Sequence, residues 1–290
     1  METQQVWLIT GTSAVGGFGE CLVRSVLARG DRVIATARAL SQIERYLNEP
    51  HAENVRLLEL DVVSGQETIK GVIARAVEFW GHIDVLVNNI GYGAKGLLEE
   101  AGSTELRRQF ETNVFGTLDV TNAVLPYMRA KRSGTIVMMG SRTSWRPENP
   151  STGIYASSKA ALRCLSETLA SEIAPFSIRM LIVEPAAFRT HALGSVPYFL
   201  DNKIPDYDAD REKYIKWFET IDGFIKGDPV KAMEVLTDVV RGEGKAAGRP
   251  WPLYLLLGDV AVQGISEKCH SMLKVIDDWR DVSTNLDLDE

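Results

Sequence analysis

Tyr155 and Lys159 stand four residues apart in the run YASSK, and Ser141 precedes the tyrosine by fourteen residues. Residues four apart share a face of a helix, so the ammonium can stand close to the phenol and favour its ionised form. An ordinary tyrosine titrates at about 10, and bringing it to about 7 takes about 4 kcal/mol of preferential stabilisation of the phenolate. A phenol tuned in this way can exchange a proton with a carbonyl or alcohol oxygen, and a serine hydroxyl can hold that oxygen by a hydrogen bond. A helix bearing YxxxK arises often by chance. The weight of the pair therefore depends on what accompanies it.

The glycine-rich turn TGTSAVGGFG, Thr10 to Gly19, is the first companion. It closes an aliphatic run that ends at Thr10, and Cys21, Leu22, Val26 and Leu27 begin a helix after it. This is the strand-turn-helix context that a dinucleotide-binding turn requires. The glycines let the backbone approach a pyrophosphate, and the helix N-terminus offers unpaired N–H groups and a positive dipole end. The plainer alternative is a tight loop that needs glycine only for its turns.

Along the rest of the chain, short β-branched and aliphatic runs alternate with longer segments of helical period, the pattern of a parallel sheet with crossover helices. The strands read as Val6 to Thr10, Arg32 to Ala37, Val55 to Val62, Asp84 to Asn89, Thr135 to Gly140, Ile178 to Glu184 and Pro252 to Leu257. Helices read from Gly17 to Arg29, Gln66 to Trp80, Thr104 to Ala130, Thr152 to Ala174, Pro229 to Arg241 and Val260 to about Arg280. No low-complexity linker divides the chain. The expectation is a single α/β, Rossmann-type doubly wound domain over residues 1–290 with a seven-stranded parallel sheet. The stretch from His191 to Lys226 departs from the rhythm, carrying Tyr198, Phe199, Tyr214, Trp217, Phe218 and Phe224 among Pro and Asp. An aromatic excursion beside the carboxyl edge of a sheet reads as a small lid.

Composition fits an enzyme of this kind. In 290 residues, 45% are hydrophobic and 24% charged, ordinary values for a globular protein. The net charge of −7 comes without a basic cluster, which argues against nucleic acid or an anionic membrane as partner. The first residues, METQQVWLIT, lack a cationic segment followed by a long apolar one, and the apolar run Leu253 to Leu257 is too short to span a bilayer, so a cytoplasmic protein is expected. Cys21, Cys164 and Cys269 are odd in number and widely spaced, which reads as free thiols. His51, His82, His191 and His270 share no ligand spacing, so no metal is expected. Met138 and Met139 lie in a buried strand and read as core filling.

With these motifs in order, the chain resembles the short-chain dehydrogenase/reductase family over nearly its whole length. The family turn TGxxxGxG is matched by Gly11, Gly17 and Gly19, with five residues between Gly11 and Gly17 where the family has three. The resemblance implies that Gly11, Thr12, Ser13, Gly17, Phe18 and Gly19 bind the cofactor phosphates, and that Asp61 and Val62 lie beside the adenine. It further implies that Asn88, Asn89 and Gly91, in NNIG, support the central sheet and the cofactor. Pro185, Phe188 and Thr190, in PAAFRT, resemble the segment that holds the nicotinamide carboxamide, with Ala186 in place of a glycine. Asn113, Ser141, Tyr155 and Lys159 would form the catalytic tetrad: Tyr155 exchanging the proton, Ser141 holding the substrate oxygen, Lys159 lowering the tyrosine pKa and binding the nicotinamide ribose, Asn113 holding a water that links Lys159 to solvent. The helices around Thr104 to Ala130 and Thr152 to Ala174 match those that pair in this family, implying a homodimer or homotetramer.

Cofactor choice turns on the end of the second strand, IATAR. An acid there would bind a free ribose 2′-hydroxyl, whereas Arg38 can bind a 2′-phosphate with two aligned donors. No acid occurs between Val33 and Ile43. NADP(H) is therefore expected, with a solvated loop cation as the plainer alternative for Arg38. The reading is an NADP(H)-dependent oxidoreductase interconverting a ketone or aldehyde and an alcohol, on a bulky, hydrophobic small molecule given the apolar lid. A redox-silent cyclase or isomerase using NADP structurally, or a non-catalytic dinucleotide-sensing protein, are the alternatives. The complete tetrad argues against both.

Overall fold

Alternation along each strand sends neighbouring side chains to opposite faces, and here both faces are buried. The computed structural model describes residues 4–190 and 196–288, the side chain of Asp222 excepted. The strands are β1 (Val6–Ile9), β2 (Arg32–Ala37), β3 (Val55–Glu59), β4 (Val85–Asn88), β5 (Gly134–Met139), β6 (Ile178–Pro185) and β7 (Tyr254–Leu257). All pair in parallel, in the order β3-β2-β1-β4-β5-β6-β7. Strand order runs outward in both directions from the β1/β4 pair, so a crevice opens at their carboxyl ends, where the glycine turn and the NNIG segment follow them.

Trp7, Ile9, Val33, Ala35, Val87, Val137 and Met139 join one core with α1 (Phe18–Ala28) and, later in the chain, Met233 and Leu236. Leu8, Ile34, Leu86, Ile136, Met138 and Ile182 join the other core with Ile69 and Ile73 of α2 (Gln66–Glu78). Met138 and Met139 are buried on opposite faces, as core filling requires.

The expected single helix from Thr104 to Ala130 is three pieces. α3 (Leu98–Phe110) starts earlier and is broken by Gly102 at φ +59°, a left-handed conformation that glycine adopts at little cost. A wider π-helical turn spans Glu111–Gly116, and α4 (Thr117–Lys131) follows. Such turns are rare and recur at functional sites, and this one carries Asn113. α5 (Gly153–Ile173) carries Tyr155 and Lys159.

Of the expected lid, the part from Val196 onward is described, and its first residues, His191 among them, lie outside the described residues. The excursion holds α6 (Asp208–Thr220), a helix that its Asp, Pro and Tyr content concealed. Glu100 and Arg211 are both buried, and the guanidinium engages the carboxylate from Nε at 3.0 Å to each oxygen and again from Nη2. That pair ties α6 to α3. Phe218 is buried at 4.8 Å from Trp217 and 6.3 Å from Tyr198, while Trp217 and Phe224 are exposed. α7 (Pro229–Arg241) leads to β7, and α8 (Asp259–Ser283) closes the chain with Met272, Leu273, Ile276 and Trp279 exposed along it. No helix among the described residues is long and apolar enough to cross a membrane.

Candidate active site

Four segments converge at the carboxyl ends of β1, β4, β5 and β6. The first is the glycine turn, where Gly11 (φ +68°) and Gly16 (φ +69°) are left-handed. A β-carbon on Gly19 would overlap the Gly11 carbonyl oxygen and lie 2.9 Å from Asn89 Nδ2, so α1 starts almost in contact with the turn. Asn89 Nδ2 donates to the carbonyls of Thr10 and Gly11 at 3.0 and 2.9 Å, which gives the NNIG segment its supporting role. The two extra residues of the turn are held from behind. Glu20 accepts the Gly16 N–H at 2.6 Å and Arg45 Nε at 2.8 Å. Burial alone would raise the Glu20 carboxyl, but the Gly16 N–H and the Arg45 guanidinium together hold it below the usual range. Arg45 Nη2 also donates to the carbonyls of Thr12 and Ser13, and the Tyr46 hydroxyl donates to Thr12. Glu20, Arg45 and Tyr46 escape a motif-based reading because they sit outside the turn, two of them in a short 3-10 helix after β2.

Thr12 donates its N–H and its hydroxyl to the Thr36 carbonyl at 3.0 and 3.1 Å, lashing the turn to β2 two residues before Arg38. Arg38 is exposed there. A close-packed glycine cradle with an exposed guanidinium beside it is a donor set suited to a dinucleotide bearing an extra phosphate. Other expected cofactor residues do structural work in this arrangement. Asp61 Oδ1 accepts the Val63 N–H at 3.1 Å, and Val62 is buried against Gly116. Asn88 is buried in β4, its Nδ2 donating to Thr121 Oγ1 at 2.9 Å and its Oδ1 unpaired. Pro185 ends β6, Phe188 packs edge-on against Phe18 at 5.3 Å, and the Thr190 N–H closes a turn onto the Phe188 carbonyl. Phe188 thus belongs to the wall behind the glycine turn rather than to the lid.

Three of the expected catalytic residues lie around the segment from Gly91 to Gly93. A β-carbon on Gly91 would stand 3.2 Å from Asn113 Oδ1 and 3.5 Å from Lys159 Nζ, and one on Gly93 would stand 3.5 Å from the Tyr155 ring. Asn113 is fully buried, with Oδ1 accepting the Tyr92 N–H at 3.1 Å and Nδ2 donating to the Tyr92 carbonyl at 3.0 Å and to Ser158 Oγ at 3.1 Å. The Ser158 hydroxyl in turn donates to the Tyr155 carbonyl at 2.7 Å, so Asn113 braces the first turns of α5.

The Ser141 side chain acts on the Tyr155 hydroxyl, favouring its ionised form. Its oxygen already accepts the Thr143 N–H at 3.3 Å and the Thr143 hydroxyl at 2.9 Å, which directs its own hydrogen toward the tyrosine side. Thr143, which the motifs do not mark, thus supports Ser141.

The electrostatics differ from the expectation of a lowered tyrosine. Burial pushes Tyr155 up to about 12, the Ser141 side chain acting against it and Glu184 with it. Lys159 donates to the Met139 carbonyl at 2.5 Å and stands 5.9 Å from the centre of the Tyr155 ring. Burial lowers the ammonium to about 8, Glu184 acting in the opposite sense. In this arrangement the phenol is a proton donor across the neutral range.

A cleft of about 360 Å³ is lined by Tyr92, which Asn113 grips, by Ile154, which precedes Tyr155, and by Val196, Pro197, Tyr198 and Phe199 from the excursion. Lys95, Glu105 and Arg108 also line it, so it is less purely apolar than the aromatic content suggested.

Residues 5–198 match the short chain dehydrogenase family model. The oxidoreductase BOA17 of Botryotinia fuckeliana is 31% identical over 279 residues, covering 96% of this chain and 98% of that one. The NADP-dependent 3-hydroxy acid dehydrogenase YdfG of Shigella flexneri is 33% identical over 242 residues, covering 79% and 94%. The crystal structure of a short-chain dehydrogenase from Streptomyces avermitilis superposes with a TM-score of 0.84 at 34% identity, covering 99% of this chain and all of that one. The chain belongs to the short-chain dehydrogenase family of oxidoreductases.

Proposed function

We propose that this oxidoreductase interconverts a ketone or aldehyde and an alcohol with NADP(H), on a bulky, mainly apolar small molecule. The observation that carries the reading is a buried Lys159 one helical turn from Tyr155, with the Ser141 side chain acting on the phenol. Bound NADPH supplies the hydride. Ser141 offers its hydrogen to the substrate oxygen, Tyr155 delivers the proton that completes the alcohol, and Lys159 places positive charge beside both. YdfG, similar along most of its length, is an NADP-dependent dehydrogenase of hydroxy acids, which favours the same cofactor and bond here. A panel of aryl and long-chain ketones and aldehydes, followed by loss of NADPH absorbance, tests it. Turnover of none of them would remove the reading.

The described part of the expected lid at 191–226, from Val196 onward, closes over the site of one catalytic unit. The exposed Trp217 and Phe224 and the cleft lined by Tyr198 and Phe199 favour this, while the Glu100–Arg211 pair marks its fixed end. Hydrogen exchange in the free, NADPH-bound and ternary forms is expected to show protection of this segment rising at each step. Equal protection in all three would make it a fixed wall. Exposed Phe115, Tyr127 and Leu165 on the π-helical turn, α4 and α5 favour pairing with a second copy through those helices, as a homodimer or homotetramer in the cytoplasm.

A further inference from the structure

β6 reads IRMLIVEP, and its one acid, Glu184, is fully buried where packing alone calls for an aliphatic residue. A buried carboxylate is tolerated only when its partners satisfy it, and retention of one in a core strand points to work done by those partners. Glu184 accepts the Ser141 backbone N–H at 2.6 Å and the Ser144 hydroxyl at 3.3 and 3.4 Å. It lies against Gly140, where a β-carbon would stand 2.9 Å from Cδ and from both oxygens. Lys159 donates to the carbonyl of Met139, the residue before that glycine.

We propose that Glu184 is a positioning residue of the active site, fixing the turn that presents Ser141 and acting as the buried counter-charge of Lys159 across the end of β5. The proposal rests on the reductase reading for its kinetic consequences but not for its contact. Lys159 and Arg163 of α5 are the cations acting on Glu184, Tyr155 of α5 feels its charge, Ser141 and Ser144 face it from the β5 turn, and β7 sets Leu256 in register beside it.

Burial raises the Glu184 carboxyl to about 7, against the pull of Ser141, Ser144, Lys159 and Arg163. Its ionised form therefore opposes folding, a cost that grows as pH rises from about 4.5 toward about 7 and is fully present above. Below about 7 the carboxyl is protonated, its hold on the Ser141 N–H weakens, and Lys159 loses its counter-charge. Glu184→Gln keeps the shape and one carbonyl for Ser141 while removing the charge. It is expected to melt no lower than the parent at alkaline pH and yet to lose activity.

The test is the pH profile of kcat for the parent, Glu184→Gln and Glu184→Asp, with melting temperatures alongside. The parent should show an acid limb near pH 7. The glutamine variant should lack that limb, lose about tenfold on the alkaline side, as a small misplacement of a catalytic group does, and show its basic limb moved to lower pH. The aspartate variant should keep an acid limb at a reduced plateau. A glutamine variant with the parent's plateau and limb, or with a loss matching its loss of folded protein, overturns the proposal. In serine-labelled protein the Ser141 amide shift should titrate near pH 7 in the parent and not in Glu184→Gln. A Ser141 amide that does not titrate overturns the proposal without any substrate. A parent that reduces nothing, with a Ser141 amide that does titrate, would sink the reductase reading and leave the Glu184 contact standing.

Discussion

Tyr155→Phe is expected to lower kcat by about 10² to 10⁴, the range for removing a positioned general acid, or about 3 to 5 kcal/mol of barrier. The Kd for NADPH should change by less than about twofold, because the ring that remains still lies against Gly93 and the carbonyl of residue 155 still accepts from Ser158. The direction of the reaction matters for pH. With Tyr155 pushed up to about 12, the donor is fully protonated at neutral pH, so the proton step of carbonyl reduction does not need alkali. Alcohol oxidation needs the phenolate, and its rate should climb as pH rises toward that value. Steady-state kinetics in both directions, with NADPH affinity by fluorescence, measure all of this. A phenylalanine variant that turns over like the parent would remove the tetrad and favour a redox-silent reaction.

Arg38→Ala is expected to weaken NADPH by about tenfold to a hundredfold and leave NADH nearly unchanged, since a charge-assisted phosphate contact contributes about 1.5 to 3 kcal/mol. The effect falls on one cofactor because Arg38 is exposed just past the end of β2, while the glycine turn is held to β2 by backbone and hydroxyl bonds from Thr12 to Thr36. Removing the Arg38 side chain leaves those bonds in place. Calorimetric titration of both cofactors into both proteins checks the prediction. Equal affinities of the parent for NADPH and NADH would overturn the assignment.

The sheet was legible because burial on both faces leaves continuous aliphatic runs, and each of the seven strands lies within three residues of where those runs placed it. The grouping of Asn113, Tyr155 and Lys159 near Gly91 and Gly93 was legible because the proposed chemistry needs particular residue types at fixed spacings. What escaped the sequence was support supplied across space. Thr143 reads as one more loop hydroxyl until its two hydrogen bonds to Ser141 Oγ are seen. Glu20 and Arg45 lie 25 residues apart and meet only because β2 returns the chain past the glycine turn. Glu184 did leave a signal, an acid at the end of an otherwise apolar strand, and burial gives that signal its meaning. The π-helical turn at Asn113 cannot be read from ETNVFG, since helical period differs too little over one turn. The ion pair of Glu100 and Arg211 likewise hides α6, whose polar sequence gains its stability from a partner more than a hundred residues away.

The most direct measurement is isotopic. NADPH carrying deuterium at nicotinamide C4, in the pro-S or in the pro-R position, is incubated with a reducible ketone; one of the two isotopomers should yield alcohol with one deuterium on the carbinol carbon, in step with NADP formed, and the other unlabelled alcohol. Product formed without deuterium from either isotopomer, or with no consumption of NADPH, would contradict hydride transfer and with it the catalytic roles of Ser141, Tyr155 and Lys159.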